Sequence, residues 1–518
     1  MKKGIVSAGH EETARAAAII LEEGGNAFDA ALGAMLAACM AEPVLASLGG
    51  GGFLLARPAD ASPVLYDFFV QTPGSKLSKD ETDFSPIVAD FGSAQQEFHI
   101  GLGAMASPGM VRGLFGVHAD FGSMPMARII EPACELASKG VRLNRQQAYI
   151  LNVVEKIFSS NARCLAAYRS KYKSDSLMRE GEVFKSSDFS DTLDALAREG
   201  EDLFYRGEIA ARIDRDCRQG GGHLRRRDLE GYALARRTPL KVPFGARQLL
   251  GNPPPSSGGI LIAFALGLLE NAGLEDCKFG SIRHLETIAN VMDLTNEARV
   301  ASRLHDRFEH DPNESLLGTE FLDTYKKRVS GHPAAHRGTT HINIADVQGN
   351  AVSLSISNGE GAAYIIPETG IMMNNMLGEE DVVPTGFHNW PLDTRMSSMM
   401  APSILLDADG ALTVMGSGGS NRIRTAILQV LLNLTVFSLP LEQAVTCPRA
   451  HLEGGVLSLE PGYPDKTVAA LGERYPDHKV WSDLNMFFGG VHTIRYDPTG
   501  RTSDVIGDPR RGGASLVV

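Results

Sequence analysis

The 518-residue sequence holds no run of about 18 uninterrupted apolar residues, so no segment is expected to cross a membrane. No export signal is expected either. The N-terminal MKKGIVSAGHEETA opens with lysines but puts Ser7, His10 and Glu11 where a signal's apolar core would lie, so the expected location is the cytoplasm. Cysteine is sparse. The six residues at positions 39, 134, 164, 217, 277 and 447 form no CxxC pair, which argues against a disulfide framework or structural zinc and for a reducing compartment. Positive charge is not in surplus: 50 basic against 62 acidic residues leave a net charge of −12, which argues against nucleic acid or an anionic membrane as partner. The basic runs Arg225-Arg226-Arg227 and Arg236-Arg237 read as solvated surface. The glycine run in SLGGGGFLLARP, Ser47 to Pro58, lacks the GK[ST] ending of a phosphate loop and precedes a strand rather than a helix. Close backbone packing or a pocket-shaping loop is the expectation there. Repeats and long low-complexity tracts are absent.

What is present is a chain with 43% hydrophobic and 22% charged residues, suited to a globular protein of two or three domains or one composite unit. Helical periodicity runs over Glu11–Glu23, Ala27–Glu42, Ala127–Ser138, Ser187–Arg198, Glu208–Cys217, Ile260–Glu270, Ile282–Arg303 and Glu320–Val329. Short apolar strands are expected at Phe53–Ala56 and Val64–Val70, and an irregular surface loop over residues 74–100. After a His/Pro/Gly linker at Gly331–Gly338 strands dominate, at Thr339–Ala345, Ala351–Ser357, Ser403–Leu406 and Leu412–Met415, with one long helix at Ser420–Phe437.

The linker ends at an unusual step. Gly338-Thr339-Thr340 opens a β-hairpin whose turn lies at Asp346–Asn350. A cut between Gly338 and Thr339 would give Thr339 both a hydroxyl nucleophile and a free α-amine to act as its base. Such an amine titrates at roughly 7.7–8.0, so a useful fraction is neutral near pH 7. The β-branched side chain restricts the hydroxyl's rotamers, and Gly338 leaves the scissile carbonyl open. His341, two residues on, is expected to be structural, because the amine already supplies a base.

Separated stretches resemble the γ-glutamyltranspeptidases (glutathione hydrolases), a family of N-terminal-nucleophile hydrolases. They are GGNAFDAALGAMLA from Gly24, EPVLASLGGGGFLL from Glu42, LFYRGEIA from Leu203, NPPPSSGG from Asn252, TTHINIADVQGNAVSLS from Thr339, GIMMNNM from Gly370, SSMMAPSILL from Ser397, GSGGSNRIRTAILQVLLN from Gly416 and GDPRRGGA from Gly507. They occur in family order over nearly the whole chain. The resemblance implies an α+β fold, a four-layer αββα sandwich built from two self-cleaved fragments, 1–338 and 339–518. It implies no cofactor and no metal. The implied partners are a small-molecule γ-glutamyl or related amide and the chain's own cleaved fragment, with a dimer of such heterodimers left open. Thr339 matches the processing and catalytic threonine, and Ser357 the second hydroxyl that supports it. Gly418 and Gly419 match the glycine pair that donates to the oxyanion, with Ser420 as the alternative register because GSGGSN stands for GSPGGS. Ser397 and Ser398 match the serines that bind the substrate α-carboxylate. Asn358 lies near a family asparagine that contacts substrate, and Glu379 where the family's acidic residue holds the substrate amine.

Two departures bear on the substrate. The family's α-carboxylate clamp is an arginine in a DFRE-like strand, and this chain reads Asp67-Phe68-Phe69-Val70, which removes a bidentate charged contact. Arg57 and Arg395 are the candidate replacements. Met376 also stands for a polar residue beside Glu379. Three readings result: a γ-glutamyl hydrolase or transferase; an amidohydrolase or acylase for a more apolar or smaller acyl group; and an uncut binding protein. The Asp508-Pro509-Arg510-Arg511 motif reads as a structural corner.

Overall fold

The computed structural model describes residues 2–90, 95–270, 272–301, 317, 338–383, 386–497 and 503–518. The expected helix at Glu320–Val329 and most of the linker before Gly338 lie outside these residues.

The hairpin that follows Thr339 is the middle of a seven-stranded sheet. Its order is Ala514–Val517, Gly4–Ala8, Thr340–Asp346, Ala351–Ser357, Gly51–Arg57, Val64–Phe68, Ala235–Arg237, each neighbour antiparallel. Period-two alternation decides what each face meets. Ile342, Ile344, Val352, Leu354 and Leu54 pack with the helices Glu11–Glu22 and Ala27–Ala41. Burying one such side chain stabilises the fold by roughly 1.5–3 kcal/mol. The Ala27–Ala41 helix is buried along its whole length, which is why its sequence is Ala- and Met-rich rather than amphipathic. Asn26 caps it, accepting from the Phe28 and Asp29 amides, and Asp346 in the hairpin turn accepts from the Ala27 amide at 2.9 Å.

The opposite face of that sheet carries Phe53, Leu55, Ala345 and Ala351. It meets a second antiparallel sheet of six strands, ordered Ser503–Ile506, Gly490–Tyr496, Leu412–Gly418, Ser403–Leu406, Arg247–Gly251, Leu240–Phe244. Polar pins join the sheets: Asn343 Nδ2 donates to His492 O at 2.9 Å and Ser353 Oγ to Met415 O at 3.0 Å. Helices Gly258–Leu269 and Arg422–Thr435 share the apolar core of the second sheet through Ile260, Phe264, Ile427 and Leu431, with Ile404 and Val414.

Two expectations need correction. Residues 74–100 are not irregular throughout: Lys79–Glu81 is a short 3-10 helix, and Ser85–Asp90 pairs with Gln95–Ile100 as a hairpin. The expected strand at Leu412–Met415 runs on to Gly418, and the helix after it begins at Arg422 rather than Ser420. The glycine run at Gly49–Gly52 packs backbone to backbone as expected. A Cβ at Gly50 would lie 2.3 Å from Ser357 O, and one at Gly52 2.3 Å from Ser355 O.

Candidate active site

Thr339 immediately precedes the central strand Thr340–Asp346 and is buried. Two hydroxyls converge on the Gly338 carbonyl oxygen: Thr339 Oγ1 at 2.8 Å and Ser357 Oγ, from the end of the neighbouring strand, at 2.9 Å. Ser357 Oγ in turn accepts from the Gly359 amide at 3.1 Å, which fixes its direction. Gly338 N–H donates to Glu360 Oε1 at 2.9 Å. The Gly338–Thr339 peptide is therefore held on both sides.

Below the site lies a buried acid. Glu42 accepts from Thr340 Oγ1 at 2.6 Å and Thr13 Oγ1 at 3.0 Å. Burial pushes its carboxyl up to about 7, against the pull of both hydroxyls and of Arg511. The Arg511 guanidinium donates through Nη1 to Thr339 O at 3.3 Å, and burial lowers its pKa to about 10.

In front of Thr339 opens a narrow cleft. Of the residues singled out from the sequence, it brings together Gly338, Thr339, Ser357, Phe69, Glu379, Ser398 and Ser420. Met376, Val382, Met399, Met400 and Ile423 supply an apolar lining, and Asp381 a second carboxylate beside Glu379. No arginine or lysine lines the cleft among the described residues. The Ser420 hydroxyl donates to Asp381 Oδ2 at 2.6 Å. Asp381 was not foreseen. The signal was its place two residues past Glu379, but strand and helix spacing gave no reason to bring it to Ser420.

Four expected residues, Gly418, Gly419, Ser397 and Asn358, lie off the cleft wall. Gly418 ends its strand opposite Gly490, and a Cβ there would strike Thr339 O at 2.1 Å. Gly419 and Ser420 make the turn into the Arg422–Thr435 helix with left-handed φ values of 122° and 53°. Ser397 and Asn358 are buried; Ser397 Oγ and both polar atoms of the Asn358 side chain have no hydrogen-bond partner among the described residues.

Neither candidate replacement for the clamp reaches the cleft. Arg395 is held at the end of the Val64–Phe68 strand, where Nη1 donates to Phe69 O at 2.7 Å and to Asp67 Oδ1 at 3.2 Å, and Nη2 to Ala233 O at 2.5 Å. Arg57 Nη1 donates to Gly349 O at 2.8 Å in the hairpin turn, at the far end of the strand. Asp67, fully buried, holds Arg395 and Arg237 together, so this cation is committed to the sheet edge. Phe69 itself stacks on Phe53 with ring centroids 5.5 Å apart. His341 faces the other sheet. Its ring bonds Ser355 Oγ and Asn343 Oδ1, each at 2.8 Å, and burial lowers its pKa to about 3, so it is a neutral pin rather than an acid or base. The Asp508 corner is ion-paired to Arg449 at 2.6 Å and to Arg510 at 3.3 Å.

Residues 13–518 match the family model described as Gamma-glutamyltranspeptidase. The chain is similar to the acylase ACY 1 proenzyme of Pseudomonas sp. (strain SE83), 29% identical over 96% of this chain and 90% of the relative. It is also similar to the glutathione hydrolase proenzyme of Pseudomonas aeruginosa, 29% identical over 99% of this chain and 94% of the relative. Its fold resembles a crystal structure of a cephalosporin acylase from Bacillus halodurans, with a TM-score of 0.84 at 23% identity over 99% of this chain and 96% of that one.

Proposed function

The chain belongs to the gamma-glutamyltranspeptidase family, and from that premise we propose that it is a self-cleaving threonine amidohydrolase acting on acyl groups that lack a free α-carboxylate. The observation that carries the substrate reading is Phe69. It lines the cleft where a glutamyl substrate needs a cation, and Arg395 and Arg57 are both engaged elsewhere. The apolar Met376, Val382 and Ile423 agree with an acyl group held by burial rather than by charge.

In the proposed processing step Thr339 Oγ1 attacks the Gly338 carbonyl carbon and the acyl group passes from nitrogen to oxygen. Water then cleaves the ester, leaving the Gly338 carboxylate and a free Thr339 amine. The fragments are 1–338 and 339–518, interleaved in one four-layer αββα sandwich of the N-terminal-nucleophile type. The two hydroxyls that donate to Gly338 O, from Thr339 and Ser357, support this step because they can polarise the carbonyl. Both curated relatives named above are proenzymes, which agrees with it.

In turnover the freed amine takes the hydroxyl proton as Thr339 Oγ1 attacks the substrate amide, and returns it to the leaving amine. Water or an acceptor amine then releases the acyl group from the ester, with the same amine as base. We assign the oxyanion donors to the backbone amides of Gly419 and Ser420, since Ser420 lines the cleft while Gly418 backs onto the Thr339 carbonyl. Removing one such donor typically lowers kcat by about 10²–10³. A second reading, γ-glutamyl transfer, is favoured by Glu379 and Ser398 in the cleft, which suit an amine and a carboxylate. Assaying matched γ-glutamyl and simple acyl anilides separates the two. The proposal expects higher kcat/KM on the acyl anilide, and a preference for the γ-glutamyl anilide would overturn it.

A further inference from the structure

We propose that Arg511 is a positioning residue that fixes the Thr339 backbone and biases the freed α-amine of Thr339 toward the neutral form that accepts a proton. The inference rests on the reading of Thr339 as the processed nucleophile and adds a group that nothing in that reading assigns.

The guanidinium is buried beside the residue that will carry the amine, with Nη1 donating to Thr339 O at 3.3 Å. Glycines make the slot it occupies. A Cβ at Gly418 would lie 3.0 Å from Arg511 Nη1, one at Gly419 3.1 Å from Nη2, and one at Gly490 2.7 Å from Cδ. The glycine pair thus has a use apart from donating amides: it lets a cation reach under the nucleophile. Met486 O, at 3.5 Å from Nη2, is the other carbonyl in reach. Arg511 thus turns toward the nucleophile, whereas its neighbours Asp508 and Arg510 pair with Arg449, Glu460 and each other.

A cation one carbonyl away from an α-ammonium disfavours the charged form and lowers its pKa. The other charges near the site are Glu360, bonded to Gly338 N, Glu42 beneath Thr340, Glu379 and Asp381 in the cleft, and Asp508 and Arg422 around Arg511 itself. Glu42 opposes Arg511 only weakly on the acid side of its own titration, which burial raises to about 7, and more fully above it. Thr339 O is the contact that orients the backbone, so loss of Arg511 is expected to loosen the nucleophile as well.

The test is the pH dependence of kcat/KM for the processed wild type, Arg511→Gln and Arg511→Lys, with intact mass confirming the cut first. Arg511→Gln should move the acid limb up by about one pH unit, costing roughly tenfold in activity on the acid side. Arg511→Lys should keep the limb in place. If the Gln variant loses activity equally at every pH, with the limb unmoved, Arg511 is merely structural and the inference falls. A second measurement needs no variant. Acetylation of the small fragment's N-terminus, followed by mass against pH, should give an amine titrating below the ordinary 7.7–8.0, and a value at or above that range would overturn the proposal. A wild type that is never cut would remove the freed-amine reading itself, a failure that intact mass distinguishes before any kinetics.

Discussion

At the scale of single residues, Phe69 is the side chain on which the substrate reading turns. It follows directly on the strand Val64–Phe68 and stacks on Phe53, and Arg395, which donates to its carbonyl, is tied to Asp67 and to the carbonyls around it. Phe69→Arg should therefore raise γ-glutamyl turnover and lower turnover of apolar acyl anilides. A charged bidentate contact is worth on the order of 1.5–3 kcal/mol, so a gain of about tenfold or more in kcat/KM is the expected outcome of steady-state assays. Glu42 makes a second prediction. Burial raises its folded-state pKa from 4.5 to about 7, so the native state binds a proton that the unfolded chain releases. That contribution to stability is fully present below about pH 4.5 and is lost as the pH rises through about 7, and it amounts to on the order of 3 kcal/mol. Glu42→Gln, which keeps the two hydroxyl partners, should flatten the fall of thermal stability over that window. An unchanged pH dependence of melting would contradict the assignment.

Among elements, the contact between the two sheets holds the nucleophile strand in register. The His341 ring lies over Gly416, where a Cβ would come within 2.1 Å of the ring. Gly416→Ala should destabilise the protein by about 1–3 kcal/mol, through overpacking at a neutral, fully bonded histidine, and melting experiments check this. The central elements were legible in the sequence because they carry clear periods. Thr340–Asp346 and Ala351–Ser357 alternate cleanly, and the glycine run before Phe53 signalled close backbone approach. The edge strands Leu240–Phe244 and Ala514–Val517 were not legible: the first turns Leu240 and Val242 inward but has only five residues with Pro243 among them, and the second has four residues, none of them buried. The Ser85–Ile100 hairpin was missed for the same reason, its first strand having mostly polar or exposed positions and a proline at 86. In the site, Thr339 is legible from the Gly-Thr-Thr step and Ser357 from the family resemblance, and both hydroxyls lie on the Gly338 carbonyl oxygen. Asp381 and Arg511 reach it from distant turns, and local spacing carries no record of that.

On the scale of the whole molecule, the proposed cut falls between strands that stay paired. In the seven-stranded sheet, Gly4–Ala8 lies between Ala514–Val517 and Thr340–Asp346, and Gly51–Arg57 pairs with Ala351–Ser357, so residues from both sides of Gly338 alternate across it. The two fragments should therefore co-elute in native size exclusion and separate only in denaturant; dissociation under native conditions would contradict the interleaved arrangement. The central claim, that Thr339 is a nucleophile freed by its own attack on Gly338, is tested most directly by denaturing intact mass of the wild type beside Thr339→Ala. The account predicts two fragments meeting at Gly338/Thr339 in the wild type and one full-length chain in the variant. A folded wild type that stays as a single chain, or a variant cut at the same bond, would contradict it.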